Sequence, residues 1–367
     1  IDNFSLLFRI IFLVIGIFIV LMSVDYVKIH LSRSGEFYGI LMFSILAMML
    51  MAASGELLTA YISLELLSFS LYVLVAYGRE GLKPSEASIK YILLGAFASA
   101  LLLYGISQIY GLLGTTKFVE IYSVMSENGD PVNLGLLVAL VLMIAGLGFK
   151  VAAVPFHMWA PDVYEGAPIP VTAYLSVGSK IAAFALVLRL FSQGLMPTFS
   201  DWQPIILMIS AFTMTIGNLV ALVQHNIKRL LAYSSVGQVG YLLMGIAALS
   251  TLASNGLIFH LVGYSVTNLA VFLVIIIVYN STKKEEIVDF AGLAERAPFV
   301  AMALSVGLFS LAGLPFFAGF TTKFYLFTAV ADQGLLWLVG LAITNSLISL
   351  YYYLMIVKQM YMHSYTA

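Results

Sequence analysis

The chain has 367 residues, 62% of them hydrophobic and only 10% charged, with a mean hydropathy of +1.02; so little polar material cannot cover a globular surface, and the chain is read as an integral membrane protein. Seventeen Lys and Arg against eighteen Asp and Glu give a net charge of −1, which excludes the broad basic surface that binds nucleic acid. There is no Cys, so disulfides, thiolate zinc sites and cysteine-ligated iron–sulfur clusters are excluded, and five scattered His do not make a stacked haem pair.

Eleven apolar stretches are long enough to cross about 30 Å of hydrocarbon. They cover residues 5–24, 36–53, 56–78, 87–113, 134–164, 169–193, 203–224, 228–250, 255–279, 298–331 and 334–360. The first lacks a basic start and a small-residue cleavage site, so it is a span and not a cleaved leader. The chain opens at Ile1 directly into that span, which suggests a piece of a longer subunit. Basic residues gather on one side, at Lys28, Arg33, Arg79, Lys83, Lys228, Arg229, Lys283, Lys284, Arg296 and Lys358. The other side holds little beyond Lys117 and Arg189. The basic side is therefore cytoplasmic, with the first residue outside and the last inside.

The fifth and tenth stretches are too long for one plain crossing. Each carries glycines and a proline that removes a helix hydrogen bond, in AGLGFKVAAVPF and AGLPFFAGFTTK. Both are expected to be broken helices. They stand five spans apart, and an odd repeat unit puts its two copies in opposite membrane orientations. Inverted repeats with interrupted helices at matching positions belong to ion-moving proteins. The expected fold is all-α, a polytopic membrane helix bundle of about 11 spans with inverted five-helix repeats and two broken helices. Residues 1–35 would be an N-terminal span and loop, 36–194 the first repeat, 195–362 the second, and 363–367 a tail.

A charge at mid-bilayer costs at least about 2.5 kcal/mol, so each one needs a partner, a water cavity or a function. Glu65 lies in YISLELLSFSLY, on one polar stripe with Tyr61, Ser68 and Tyr72. It is either a carboxylate that pins two helices through a Lys or a switchable partner in proton transfer. Lys150 closes the apolar half of the first broken helix, and Lys323 follows Gly319 and Thr322 in the second. Lys180 follows Thr172 and Ser176 at four-residue steps, a hydroxyl ladder leading to an amine. Burial disfavours an ammonium and a nearby carboxylate favours it, so moving the partner would load or release a proton. The alternative for Lys150 and Lys323 is snorkelling to the headgroups. His260 has Tyr264 and Thr267 on its face and is either a proton relay or a satisfied core histidine. His225 reads as a solvated cap, Arg9 as a snorkelling cation, and Lys90 with Glu86 as an exposed i, i+4 pair.

The run KVAAVPFHMWAPDVYEGAPIPVTAYLSVGSK, from Lys150 to Lys180, closely resembles the core of the antiporter-like membrane subunits of respiratory complex I and its relatives. So do GELLTAYISLELLSFSLYVLVAY, EASIKYILLGAFASALLLYG, NIKRLLAYSSVGQVGYLL and SLAGLPFFAGFTTKFY, and the pattern looks most like the branch called subunit N, or subunit 2. The resemblance spans nearly the whole sequence and implies that terminal helices of the fourteen-helix family pattern lie outside it.

By resemblance, Glu65 is the carboxylate that couples to a neighbouring subunit and Lys150 its paired proton-loading amine. Lys180 is the central channel lysine, Lys323 delivers protons to the outside, and His157 belongs to the cytoplasmic intake. His260 falls where many relatives carry an aromatic or aliphatic residue, so its candidacy rests on its own position. The resemblance implies a proton-translocating membrane-arm subunit of a quinone oxidoreductase, driven by redox events elsewhere. No cofactor is expected in this chain; NAD(P)H or ferredoxin, FMN, iron–sulfur clusters and quinone would belong to partner subunits. The implied partners are neighbouring antiporter-like and small bundle subunits and lipids, with no nucleic acid, in a bacterial plasma membrane or, alternatively, a thylakoid. A multisubunit cation/proton antiporter and a membrane hydrogenase are the rival readings.

Overall fold

The computed structural model describes residues 2–31, 33–78, 82–128 and 134–364. Arg79 and the end of the 363–367 tail lie outside the described residues. The described chain is helical: α1 (Asn3–His30), α2 (Ser34–Ala53), α3 (Leu57–Val75), α4 (Leu82–Leu113), α5 (Phe118–Asn128), α6 (Leu134–Val151), α7 (Trp159–Gly166), α8 (Ile169–Tyr174) and α9 (Lys180–Gln193) make the first part. Then follow α10 (Phe199–Ala221), α11 (Ile227–Ala248), α12 (Thr251–Thr282), α13 (Leu293–Arg296), α14 (Pro298–Ala312), α15 (Ala318–Ala331) and α16 (Leu336–Met362). Ten described helical stretches are long and apolar enough to cross a membrane, and the shorter α14 is an eleventh apolar helix, completed by α15. This matches the eleven stretches seen in the sequence.

Side-chain caps set several helix starts. Asp2 and Ser5 form a capping box on α1, Asn226 accepts from the Lys228 and Arg229 amides at α11, and Ser250 accepts from the Ala253 amide at α12. Both expected breaks are present. Helix α6 stops at Val151, Ala152 takes φ 63°, and the chain passes the cis Val154–Pro155 bond before α7 begins. Helix α14 stops at Gly313, with φ 84°, and α15 starts beyond Pro315 and Phe316. Glycine is required at Gly319, because a Cβ there would collide with the Ser310 carbonyl as α15 crosses the end of α14.

Two features were not foreseen. A π-turn, Leu175–Ser179, separates α8 from α9 inside what the sequence presents as one span. The amphipathic α5 occupies the connection after α4.

The inverted repeat shows in two antiparallel bridges. Glu56 pairs with Lys117 just before α3 and just after α4, and Asn226 pairs with Glu286 just before α11 and just after α12. The Leu57 amide donates to the Thr116 carbonyl (2.9 Å) and the Ile227 amide to the Glu285 carbonyl (3.0 Å). By the distribution of basic loops, the first bridge lies on the outer side and the second on the basic side. The same clasp thus closes the same helix pair of each repeat at opposite faces. At the centre, residues 169–188 are all buried and α11 nearly so, whereas α1 and α16 keep wide exposed faces.

Candidate functional site

The sequence-selected charges fall along the inside of this bundle. On α3 the Glu65 carboxylate, partly buried, accepts a hydrogen bond from Ser99 Oγ of α4 (2.5 Å). One turn further on, Ser68 Oγ accepts from Lys150 Nζ (2.6 Å) and itself donates to the Leu64 carbonyl. Lys150 therefore reaches α3 at the turn next to Glu65, through a hydroxyl and not by an ion pair. Tyr72, on the same stripe, has a buried hydroxyl with no protein partner.

Lys180 stands at the first position of α9, immediately after the π-turn, and is 1% exposed. Its Nζ donates to Ser235 Oγ of α11 (2.6 Å) and sits 5.9 Å from the centre of the Tyr164 ring. The hydroxyl ladder expected to lead to it turns aside: Thr172 Oγ1 donates to the Tyr164 carbonyl, and Ser176 Oγ donates to Ala173 and accepts from Asn268. The extra residue of the π-turn breaks the four-residue register that the ladder assumed.

Lys323 is buried on α15, and its Nζ donates to the Leu311 and Ala312 carbonyls (2.8 and 3.3 Å) and to Ser346 Oγ (3.2 Å). Those carbonyls end α14. A helix C-terminus carries about half a negative charge, so the break supplies the acceptor set that a cation here needs. His260, 2% exposed, joins this cluster: Nδ1 meets Thr322 Oγ1 at 3.0 Å and Nε2 meets Gln238 Oε1 at 3.1 Å. Gln238 Nε2 donates to the same Leu311 carbonyl that holds Lys323 (3.3 Å). Since Gln238 Oε1 accepts only, the imidazole donates from Nε2, while the Thr322 hydroxyl at Nδ1 also reaches the Gly319 carbonyl (3.3 Å). His157 stands apart. It is buried in the first break with Nδ1 unpartnered and its ring 6.3 Å from that of Tyr233.

Ser235 and Gln238 were missed by the sequence reading; they lie one turn apart on α11, in SSVGQ, and tie Lys180 and Lys323 to one helix. Also missed was the ion network on the basic side. The foreseen Lys90–Glu86 pair (2.8 Å) extends to Asp162 (2.8 Å), which Arg229 also contacts (2.7 Å), and Glu165 takes Arg229 and Lys83 (both 3.1 Å). Partial burial pushes the Asp162 carboxyl up, but hydrogen bonds from Lys90 and Arg229 prevail and hold it below its ordinary range. Glu165 is lowered in the same way, burial opposing and Lys83 and Arg229 prevailing. Nearby, Lys228 is 3% exposed and pairs with Glu285 (2.8 Å) at the edge of a polar cleft of about 590 Å³. Among the described residues, no group of three His, Cys, Asp or Glu is placed to hold a metal ion.

Residues 54–349 match the family model described as NADH:quinone oxidoreductase/Mrp antiporter, TM. The chain belongs to this family. It is 44% identical over 361 residues to NADH-quinone oxidoreductase subunit N of Trichlorobacter lovleyi, covering 98% of this chain and 74% of that one. The subunit N of Desulfitobacterium hafniense is 46% identical over 380 residues, with 98% and 76% covered. Among solved structures, respiratory complex I from Thermus thermophilus aligns with 32% identity and a TM-score of 0.82, over all of this chain and 78% of that one. The Mrp complex from Dietzia sp. aligns with 25% identity and a TM-score of 0.91, over all of this chain and 67% of that one.

Proposed function

We propose that the chain is the proton-translocating subunit N of a complex I type NADH:quinone oxidoreductase, with redox chemistry in other subunits. The observation that carries this reading is the series of buried amines, Lys150, Lys180 and Lys323, each held by hydroxyls or carbonyls and not locked in an ion pair. An amine held so is free to exchange its proton, whereas one clamped to a carboxylate is a strut. The relatives named NADH-quinone oxidoreductase subunit N support the assignment to a complex I assembly and favour NADH as donor. FMN, iron–sulfur clusters and quinone are assigned to partner subunits, and none to this chain.

In this reading Glu65, partly open at the α3–α4 face, receives the perturbation from a neighbouring membrane subunit and changes the charge balance at Ser68 and Lys150. His157 serves the cytoplasmic intake. Lys180 takes the proton at the centre, residues 36–194 acting as the input half. It passes along α11 to the cluster of Gln238, His260 and Lys323 in residues 195–362, the output half. Each proton moved against the potential costs about 2.3 kcal/mol per 100 mV, within reach of making and breaking contacts of these charges in a low dielectric. Replacing Glu65 by Gln in the assembled complex is expected to cut proton translocation at least severalfold while the subunit still assembles. An unchanged proton-to-electron ratio in reconstituted vesicles overturns the coupling role.

The likeness to the Mrp complex supports a second reading, a cation/proton antiporter subunit. Sodium- or potassium-driven proton exchange in vesicles lacking any electron donor would favour it.

A further inference from the structure

The hydroxyl ladder of α8 turns aside at Ser176, and Asn268 of α12 sets where it goes. Asn268 Nδ2 donates both to Ser176 Oγ (2.8 Å) and to Tyr264 Oη (2.9 Å), and all three side chains are buried. Helix α12 runs toward the basic side and ends before Lys283, whereas the segment from Ile169 to Lys180 enters from that side. Ser176 and Asn268 thus form a rung one turn nearer the basic side than Lys180 and Tyr264. Beyond that rung, Thr172 Oγ1 donates to the Tyr164 carbonyl (2.9 Å) and reaches the Pro168 carbonyl (3.4 Å). Ala167 and Pro168 line the polar cleft of the basic side, where Lys228 Nζ donates to the Ala167 carbonyl (3.2 Å). Polar groups therefore descend from the cleft to Lys180 between α8 and α12, apart from His157.

The direction of each hydrogen bond assigns the parts. An amide nitrogen only donates, so Asn268 fills an acceptor position on the Tyr264 oxygen and leaves the phenol its own proton to give. The Ser235 hydroxyl faces it. Ser235 Oγ donates to the Ala232 carbonyl (2.8 Å), accepts from Lys180 Nζ (2.6 Å) and keeps one lone pair for a second donor. Tyr164 also faces Ser235, but its buried hydroxyl has no hydrogen-bonding partner among the described residues and no link to Ser176.

We propose that Tyr264 relays protons from the basic side to Lys180 through Ser235, and that Asn268 positions it. The inference rests on the reading of Lys180 as an amine that loads and releases a proton. In the neutral state Lys180 Nζ takes the Ser235 proton, Ser235 Oγ takes that of Tyr264, and Tyr264 Oη regains one from a water joined to Ser176. Two oxygens bonded to one amide nitrogen lie within the span of a single bridging water. The amine gains one proton drawn from the cleft, and each hydroxyl ends as it began. Asn268 neither gains nor loses a proton; it fixes the way the Tyr264 O–H points.

The test uses the whole complex in proteoliposomes, with proton translocation and quinone reduction followed together and the melting temperature measured beside them. Tyr264→Phe keeps the ring and removes one oxygen. It is expected to lower proton translocation at least threefold with the melting temperature unchanged. Asn268→Leu is expected to lower it too, and to add nothing in the Tyr264→Phe background, whereas a residue that merely pins α12 would add its own loss. Should Asn268→Leu not assemble, Ser176→Ala takes its place with the same expectation. Normal translocation by Tyr264→Phe overturns the proposal, as does a loss confined to Tyr164→Phe, or additive losses in the double variant. Lys180→Met separates the two readings. Loss with Lys180→Met and none with Tyr264→Phe overturns the relay alone, whereas normal translocation by Lys180→Met removes the proton-loading reading and the relay with it.

Discussion

Lys323 and Lys180 solve the same problem with different partners. Lys323 rests on the frayed carbonyls of α14, a site that exists only because the helix breaks, whereas Lys180 has one hydroxyl, Ser235. The second arrangement is the more fragile. Ser235→Ala leaves the buried amine without the one side chain that accepts its hydrogen bond among the described residues, a penalty of about 1–3 kcal/mol for an unsatisfied group and more for a charged one. Proton translocation is then expected to fall about tenfold or more, with Ser235→Thr restoring it; normal pumping by the alanine variant in reconstituted vesicles would remove Ser235 from the path. Gln238→Leu likewise strips the acceptor from His260 and a donor from Leu311, and the proton-to-electron ratio is expected to drop with electron transfer kept. The lysines were legible in the sequence because a charge in hydrocarbon advertises itself by its cost. Ser235 and Gln238 were not, because a serine and a glutamine are unremarked in any helix until their neighbours are known.

At the scale of the element, the breaks were readable from Pro and Gly, but the π-turn was not, since one inserted residue changes neither composition nor hydropathy. That residue is what turns Lys180 away from Ser176 and toward α11. The α14–α15 crossing makes a sharper demand. Gly319→Ala drives a methyl into the Ser310 backbone, and overpacking of this kind costs about 1–3 kcal/mol. A lower melting temperature of the complex, or loss of the subunit from it, is the expected reading, and unchanged thermal stability would show that the crossing yields. Helix α7 depends on charge instead. Asp162 and Glu165 are held below their ordinary pKa, so their ion pairs contribute full stability above about pH 4 to 4.5, the unfolded carboxylate range, and lose it as pH falls through the lower folded values. Acid titration of thermal stability should show this decline, and Asp162→Asn should flatten part of it while weakening the fold at neutral pH.

For the whole molecule, the eleven stretches and their inverted relation followed from hydropathy, proline and basic loops, because the bilayer imposes one length and one polarity rule on every span. The paired clasps, Glu56 with Lys117 and Asn226 with Glu286, were invisible beforehand: backbone pairing between loops far apart in the chain leaves no residue pattern. The complete burial of residues 169–188 also has a bearing on failure. A proton on Lys180 is insulated from the lipid on every side, so it has no sideways escape and any short circuit must run end to end. Substitutions that make the membrane leaky should therefore cluster at the two plugs, Lys228 with Glu285 on the basic side and Lys323 with Ser346 toward the outer side, and spare the rim that faces lipid.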